Sequence, residues 1–283
     1  MDRLLQIWKR QQITVWTSRA FLTTILSCVV GCSTTFSLGY EMGPFLVSRE
    51  LEKRLPLSDA AEDKLDKDLE AYFEWHRKKM LGDYVQTLET WRKEARSGRS
   101  TELWLWPDIG RLIADTLLPI GEIVCEPMSR YSPEDVVELR RLDRKAREKQ
   151  KERRGDTLEE EKDRRWEAFE SFLEDFIGDF EKEQSVRWRQ TFEAAMDKSN
   201  ARRGEGREQW KAFVAELEKG MSFLRCFEYM EQWMVMDPKA RTDRNRHWTL
   251  IYDQILRELT DEQRLHLDEE LVTWISRFKG LQD

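Results

Sequence analysis

The chain has 283 residues, with 48 Lys and Arg against 55 Asp and Glu, a formal net charge of −7. That balance argues against non-specific binding to nucleic acid or to anionic lipid by the molecule as a whole. Charged residues make up 36%, Gly and Pro number only 13 and 7, and no long stretch alternates with period two. The expected fold is therefore all-α: an elongated multi-helix bundle or curved helical array with short loops joining antiparallel neighbours.

Met1 to Arg19 carries Arg3, Lys9, Arg10 and Arg19 against Asp2, and Trp8 and Trp16 make it amphipathic. Ala20 to Cys32 is a run of thirteen mostly apolar or small residues. A bilayer span needs about 20, whereas the h-region of an export signal has about 7–15 behind a basic segment. Val29-Val30-Gly31-Cys32 resembles the lipobox of bacterial lipoproteins. The resemblance implies acylation (palmitate or a similar chain) at Cys32 and cleavage after Gly31, whose missing side chain suits a peptidase pocket. Ile25-Leu26-Ser27-Cys28 is a poorer second candidate, because Leu26 is bulky. An ordinary signal with two incidental cysteines, or an uncleaved anchor, are the alternatives. Ser33 rather than Asp follows Cys32, which by the sorting rule of such lipoproteins implies the outer membrane, facing the periplasm. Removal of residues 1–31 would leave 252 residues with a net charge of −10. Membrane attachment would then rest on lipid, at about 0.8 kcal/mol per buried methylene.

Residues 32–57 read as a lipidated, extended tether and lead-in segment, and 58–283 as one all-helical domain. A long helix follows Pro56, with Asp59 and Glu62 at capping-box spacing. Its apolar stripe runs Leu65, Leu69, Tyr72/Phe73, His76, Met80, Tyr84, Leu88 and Trp91, and Ser97 to Ser100 ends it. Residues 101–131 hold Pro107, Pro119 and Pro127, which predict two short helices broken at the prolines. Trp104 and Trp106 lie two apart in a segment bounded by turns, and are either core or an exposed contact surface. Ser132-Pro133-Glu134-Asp135 starts the next helix. Its segment 140–154 has nine basic residues and three acids. That run is either a solvated helix balanced by i,i+4 pairs or a basic arm for an acidic partner or membrane surface. The candidate contacts there are Arg140, Arg141, Arg144, Lys145 and Arg147. Gly155-Asp156 predicts a turn, and Thr157 with Glu160 caps a long helix striped from Trp166 to Ala195. Residues 202–206 read as a turn. Three helices then follow, striped by Trp210 to Leu224, by Trp248 to Ile255, and by Leu267 to Leu281.

Cys125 and Cys226 lie 101 residues apart in apolar surroundings, and are either a disulfide or two buried thiols. His76, His247 and His266 lack partners at ligand-like spacing, so no metal site, cofactor or catalytic residue is expected. There is no Gly-x-Ser-x-Gly and no glycine-rich phosphate loop. Leu259-Thr260-Asp261-Glu262-Gln263 resembles the LTxxQ motif of small periplasmic stress proteins of the Spy and CpxP kind. The simpler reading is a capping box, Thr260 with Gln263. The segments 65–73 and 267–275 echo each other weakly.

Trp75-His76-Arg77, with Leu81 and Tyr84, resembles the first-helix motif of a broad family of uncharacterised all-helical lipoproteins of Gram-negative bacteria. Gly82 stands where that family usually has proline. The resemblance implies a fold and a location rather than a mechanism. Trp75, His76, Arg77 and Tyr84 are its candidate partner contacts, and His76 reads alternatively as a stripe-edge histidine hydrogen-bonded within the bundle. The expected role is non-enzymatic: binding, scaffolding or chaperone-like holding at the cell envelope. The membrane would be reached through Cys32, and the partner would be an envelope protein or unfolded client, not nucleic acid. The alternatives are a periplasmic ligand or metal stress sensor, and an enzyme with a site assembled from distant helices.

Overall fold

The computed structural model describes residues 33–155, 157–201, 203–234 and 238–282. The candidate signal and Cys32 lie outside the described residues. Among the described residues eleven helices run in chain order: α1 Ser33–Glu41, α2 Gly43–Glu52, α3 Asp59–Ser97, α4 Leu105–Met128, α5 Pro133–Arg154, α6 Leu158–Ile177, α7 Lys182–Ala201, α8 Arg203–Leu217, α9 Phe223–Met234, α10 Pro238–Glu258 and α11 Asp261–Gln282. The described residues contain no strand, and no helix among them is long and apolar enough to cross a membrane. The fold is all-α.

The chain divides into two compact units. The first holds the described residues of Met1–Met80, Ile113–Arg153 and Val214–Met234; the second holds those of Leu81–Leu112, Arg154–Phe213 and Val235–Asp283. In the first unit the α3 stripe buries Leu65, Leu69, Tyr72 and Met80. Cys125 of α4 is bonded to Cys226 of α9, with 5.6 Å between their Cα atoms. Both cysteines are fully buried.

In the second unit Trp166, Leu173 and Ile177 of α6 pack with Trp188, Phe192 and Met196 of α7 and Ile251 and Ile255 of α10. Trp188 is 0% exposed. The Phe192 ring meets Trp166 edge-on at 5.4 Å and stacks with Phe169 at 5.0 Å. Helix α7 lies along α10, and α6 along α11. Asp268 of α11 receives Arg92 of α3 through Nε at 2.9 Å and a terminal nitrogen at 2.7 Å, and Arg96 at 2.8 Å.

Several boundaries differ from the expected ones. Residues 33–52 are helical, not extended. Pro44 sits in the first turn of α2, where its fixed φ suits a helix start. Helix α3 starts after Ser58, whose carbonyl accepts from the Ala61 and Glu62 amides; Asp59 is already inside. Residues 105–128 form one helix that contains Pro119 and Pro127. A helical proline crowds the preceding turn and orphans a carbonyl. Nearby, the buried Tyr72 hydroxyl donates to the Thr116 carbonyl at 2.9 Å and ties α3 to this helix. The long helix expected from Trp166 to Ala195 breaks at Gly178, whose φ of 73° favours a residue without Cβ. Residues 203–206, expected as a turn, are helical. Burial of Trp210 and Phe213 in the same helix outweighs the helix penalty of Gly204 and Gly206, about 1 kcal/mol each. The Ser132, Thr157 and Thr260 caps form as expected. Ser132 Oγ accepts from the Asp135 amide at 3.2 Å while Asp135 accepts from the Ser132 amide at 2.8 Å, and Thr157 Oγ1 accepts from the Glu160 amide at 3.1 Å.

Candidate functional site

The tryptophan-histidine-arginine stretch of α3 sits in the first unit under α1 and α2. Met42 joins those two helices in right-handed helical conformation. The ladder continues across it, Met42 N to Leu38 O and Leu46 N to Met42 O, both at 3.0 Å. One face of this nearly continuous rod, with Phe36, Tyr40, Gly43 and Ser48, turns toward α3. The approach is close at Gly43, where a Cβ would overlap the Phe73 ring. Tyr40 meets Phe73 edge-on at 5.7 Å. Its hydroxyl oxygen lies 2.8 Å from His76 Nδ1 and 3.3 Å from the Phe73 carbonyl. If the phenol hydrogen goes to Phe73, the oxygen accepts from Nδ1–H; if it goes to Nδ1, the Nε2–H tautomer is fixed. The Arg77 guanidinium lies over the Tyr40 ring, 5.2 Å from its centre, and pairs with Glu41. Ser48 donates to Asp66 of α3.

His76 is 2% exposed, and burial pushes its pKa down to about 4. The imidazole is therefore neutral at ordinary pH. It acts as a latch between the N-terminal helices and α3. Its expected role as a partner contact is corrected by that burial. Trp75 is half-buried beside Tyr72, with ring centres 5.7 Å apart. Tyr84, in the second unit, packs against Phe278 at 5.6 Å. The motif thus continues through the α3 position where the two units divide, and does not assemble into one cluster.

Trp104 and Trp106 are also corrected as exposed contacts: they are 9% and 8% exposed. Trp104 Nε1 donates to the Arg99 carbonyl at 3.2 Å, and its ring meets Trp91 at 6.4 Å. Trp106 packs edge-on against Tyr252 at 5.5 Å. Nearby, Asp253 accepts from Ser100 Oγ at 2.8 Å and from the Thr101 amide at 2.7 Å. These bonds fold the turn residues onto α10. In the basic run of α5, Arg140 pairs with Glu218 at 2.6 Å, Arg141 with Glu138 and Arg147 with Asp143 at 2.8 Å. Arg144 and Lys145 are exposed. Among the described residues no group of three or more His, Cys, Asp or Glu is placed to hold a metal ion.

The most organised polar cluster was not expected as a cluster. Gln263 closes the Thr260 cap: its Oε1 accepts from the Thr260 amide at 3.0 Å, and Thr260 Oγ1 accepts from the Gln263 amide at 3.2 Å. Gln184 does the same for the start of α7, accepting from the Glu181 amide at 3.0 Å. The two side-chain amides then face each other. Gln184 Nε2 donates to Gln263 Oε1 at 3.2 Å, and Gln263 Nε2 donates back at 3.1 Å. The remaining hydrogens go to the carbonyls of Glu258, at 3.0 Å, and Asp179, at 3.1 Å. Both glutamines are buried and fully satisfied. The signal was present in sequence as a second, degenerate copy of the motif: Phe180-Glu181-Lys182-Glu183-Gln184 parallels Leu259-Thr260-Asp261-Glu262-Gln263. Glutamate in place of threonine takes it outside the LTxxQ pattern. The hairpins α6–α7 and α10–α11 meet at these two caps. Glu258 adds a further tie. Burial opposes its ionisation, but bonds from Gln254, Arg187 and Trp188 prevail and hold its carboxyl below the usual range.

No curated protein and no solved structure matches the chain. A family model matches residues 53–228, a stretch that takes in His76 and both bonded cysteines. That match covers more than half of the sequence, and the chain belongs to the family of unknown function DUF6279.

Proposed function

We propose that the chain is a lipid-anchored protein of the cell envelope, held in the outer membrane through Cys32 and facing the periplasm, with a non-enzymatic binding, scaffolding or chaperone-like role. The observation that carries this reading is the Cys125–Cys226 bond. Disulfides persist in oxidising compartments such as the periplasm. This agrees with the basic segment, the thirteen-residue apolar run and the Val29-Val30-Gly31-Cys32 lipobox.

A binding role is supported by how the chain uses its perturbed ionisable groups. His76 latches helices, and Asp268 and Glu258 tie α11 to α3 and α10 to α7. The first unit also exposes large apolar side chains, Leu224 at 72% and Val137 at 67%, which suit contact with a protein partner or unfolded client.

The test is the intact mass of the detergent-extracted protein, with and without reductant. The expected species begins at Cys32, carries acyl mass and gains the mass of one reduced disulfide. A Cys32→Ser variant should leave the membrane or accumulate as precursor. Retention of that variant in membranes at mature size would overturn the anchor. Failure of the acylated protein to retain any envelope protein or to suppress client aggregation would overturn the binding role.

A further inference from the structure

The rod formed by α1 and α2 has two faces. At about 100° per residue, Phe36, Tyr40 and Gly43 fall together on one side, where Tyr40 and Gly43 meet Phe73 of α3. Leu38, Met42, Phe45 and Arg49 fall together on the opposite side. Those apolar residues are 60%, 44% and 55% exposed, respectively. The Arg49 guanidinium lies over the Phe45 ring, 5.4 Å from its centre. The exposed apolar residues therefore follow one another along the rod and end at Arg49, which also pairs with Glu52 at 2.9 Å, and no packing among the described residues buries them.

We infer that the Leu38–Met42–Phe45 face docks on the surface of the lipid bilayer, an inference that rests on the proposed anchoring at Cys32. Three features select this occupant. The face begins within two helical turns of Ser33, directly after the residue proposed to carry lipid. An acyl chain at Cys32 would hold the first turns of α1 at the depth where interfacial helices lie, about 5–10 Å into the headgroup and acyl boundary. Leu, Met and Phe followed by an Arg stacked at the edge is the composition of such a face, with apolar residues entering and the guanidinium reaching the headgroups. From Ser33 to Arg54 the basic and acidic residues balance, three against three, so apolar insertion rather than charge would drive the docking. The Tyr40–His76 and Arg77–Glu41 contacts would then pass the orientation of the rod to α3.

The experiment places a nitroxide at Leu38→Cys, Met42→Cys and Phe45→Cys in turn, with Leu224→Cys as control. The full chain is bound to vesicles of phosphatidylcholine and phosphatidylglycerol. Collision with oxygen and with a water-soluble nickel complex reports depth. The expected result is severalfold greater oxygen-to-nickel preference at 38, 42 and 45 than at 224. Aqueous values at all three positions would overturn the proposal. So would protection from both reagents, which means that a second copy or residues 1–31 cover the face. Intact mass of the same samples judges the anchor separately: an unmodified Cys32 sinks the lipoprotein reading, while the depth profile still decides whether the face enters the bilayer.

Discussion

The two units are held together by different means. The first gathers distant stretches and closes them with a covalent bond between α4 and α9 and a buried tyrosine-histidine latch. The second is built on two helical hairpins of neighbouring helices, packed through an aromatic core and joined at their caps by two paired glutamines. Loop closure explains the difference. A cross-link constrains the unfolded chain most when it spans a long loop, whereas local hairpins close at little entropic cost and need only packing and satisfied polar groups.

The largest effect that would break the comparison is loss of the covalent tie. Cys125→Ser with Cys226→Ser should cost about 4–5 kcal/mol for a loop of this length, measured by urea unfolding. Reductant should destabilise the wild type to the same degree and leave the double variant unchanged.

In the second unit, Trp188→Ala should cost about 3–5 kcal/mol, because a fully buried indole leaves a cavity. Its unfolding should remain insensitive to reductant beyond the wild-type response. Equal loss of the first unit's bonded state would remove the distinction between the units.

Acid acts with opposite sign on one group in each unit. Burial holds His76 near 4 in the folded state, against about 6.5 when unfolded. The unfolded chain therefore takes up the proton first. Stability is full above about pH 6.5 and falls towards pH 4, by about 1.4 kcal/mol per pH unit and about 3 kcal/mol in all. His76→Gln should flatten that slope in unfolding measured between pH 7 and 4.5. In the second unit, burial and then Glu270 raise the Asp175 carboxyl. The folded form there binds the proton more readily, so this group adds stability as pH falls through its folded pKa, and Asp175→Asn should remove that gain.

The smallest effects lie at the paired caps. Gln263→Ala should cost about 1–3 kcal/mol, since it leaves buried partners unsatisfied. Thr260→Ala should cost about 1 kcal/mol as a lost cap. Neither should alter partner binding at a permissive temperature. Loss of binding without loss of stability would move the LTxxQ stretch from architecture to function.

Much of the helical pattern was legible in the residues. The stripe Leu65, Leu69, Tyr72, His76 and Met80 and the caps at Ser132, Thr157 and Thr260 follow from periodicity and from bonds three residues apart. The candidate site was legible only in part. His76 could be placed on a helix face, but nothing local tells that Tyr40, 36 positions earlier, covers it.

By itself, then, the sequence determined an all-α chain, its strongest helix starts and the choice open to Cys125 and Cys226. Tertiary structure alone decided that Cys125 meets Cys226, that Pro119 stays inside a helix, that Trp104 and Trp106 turn inward, and that Gln184 pairs with Gln263. The physical reason is range. Helix periodicity and capping are settled within a few residues, whereas the Tyr72–Thr116 bond, the Gln184–Gln263 pair and the Cys125–Cys226 bond join residues 44, 79 and 101 positions apart.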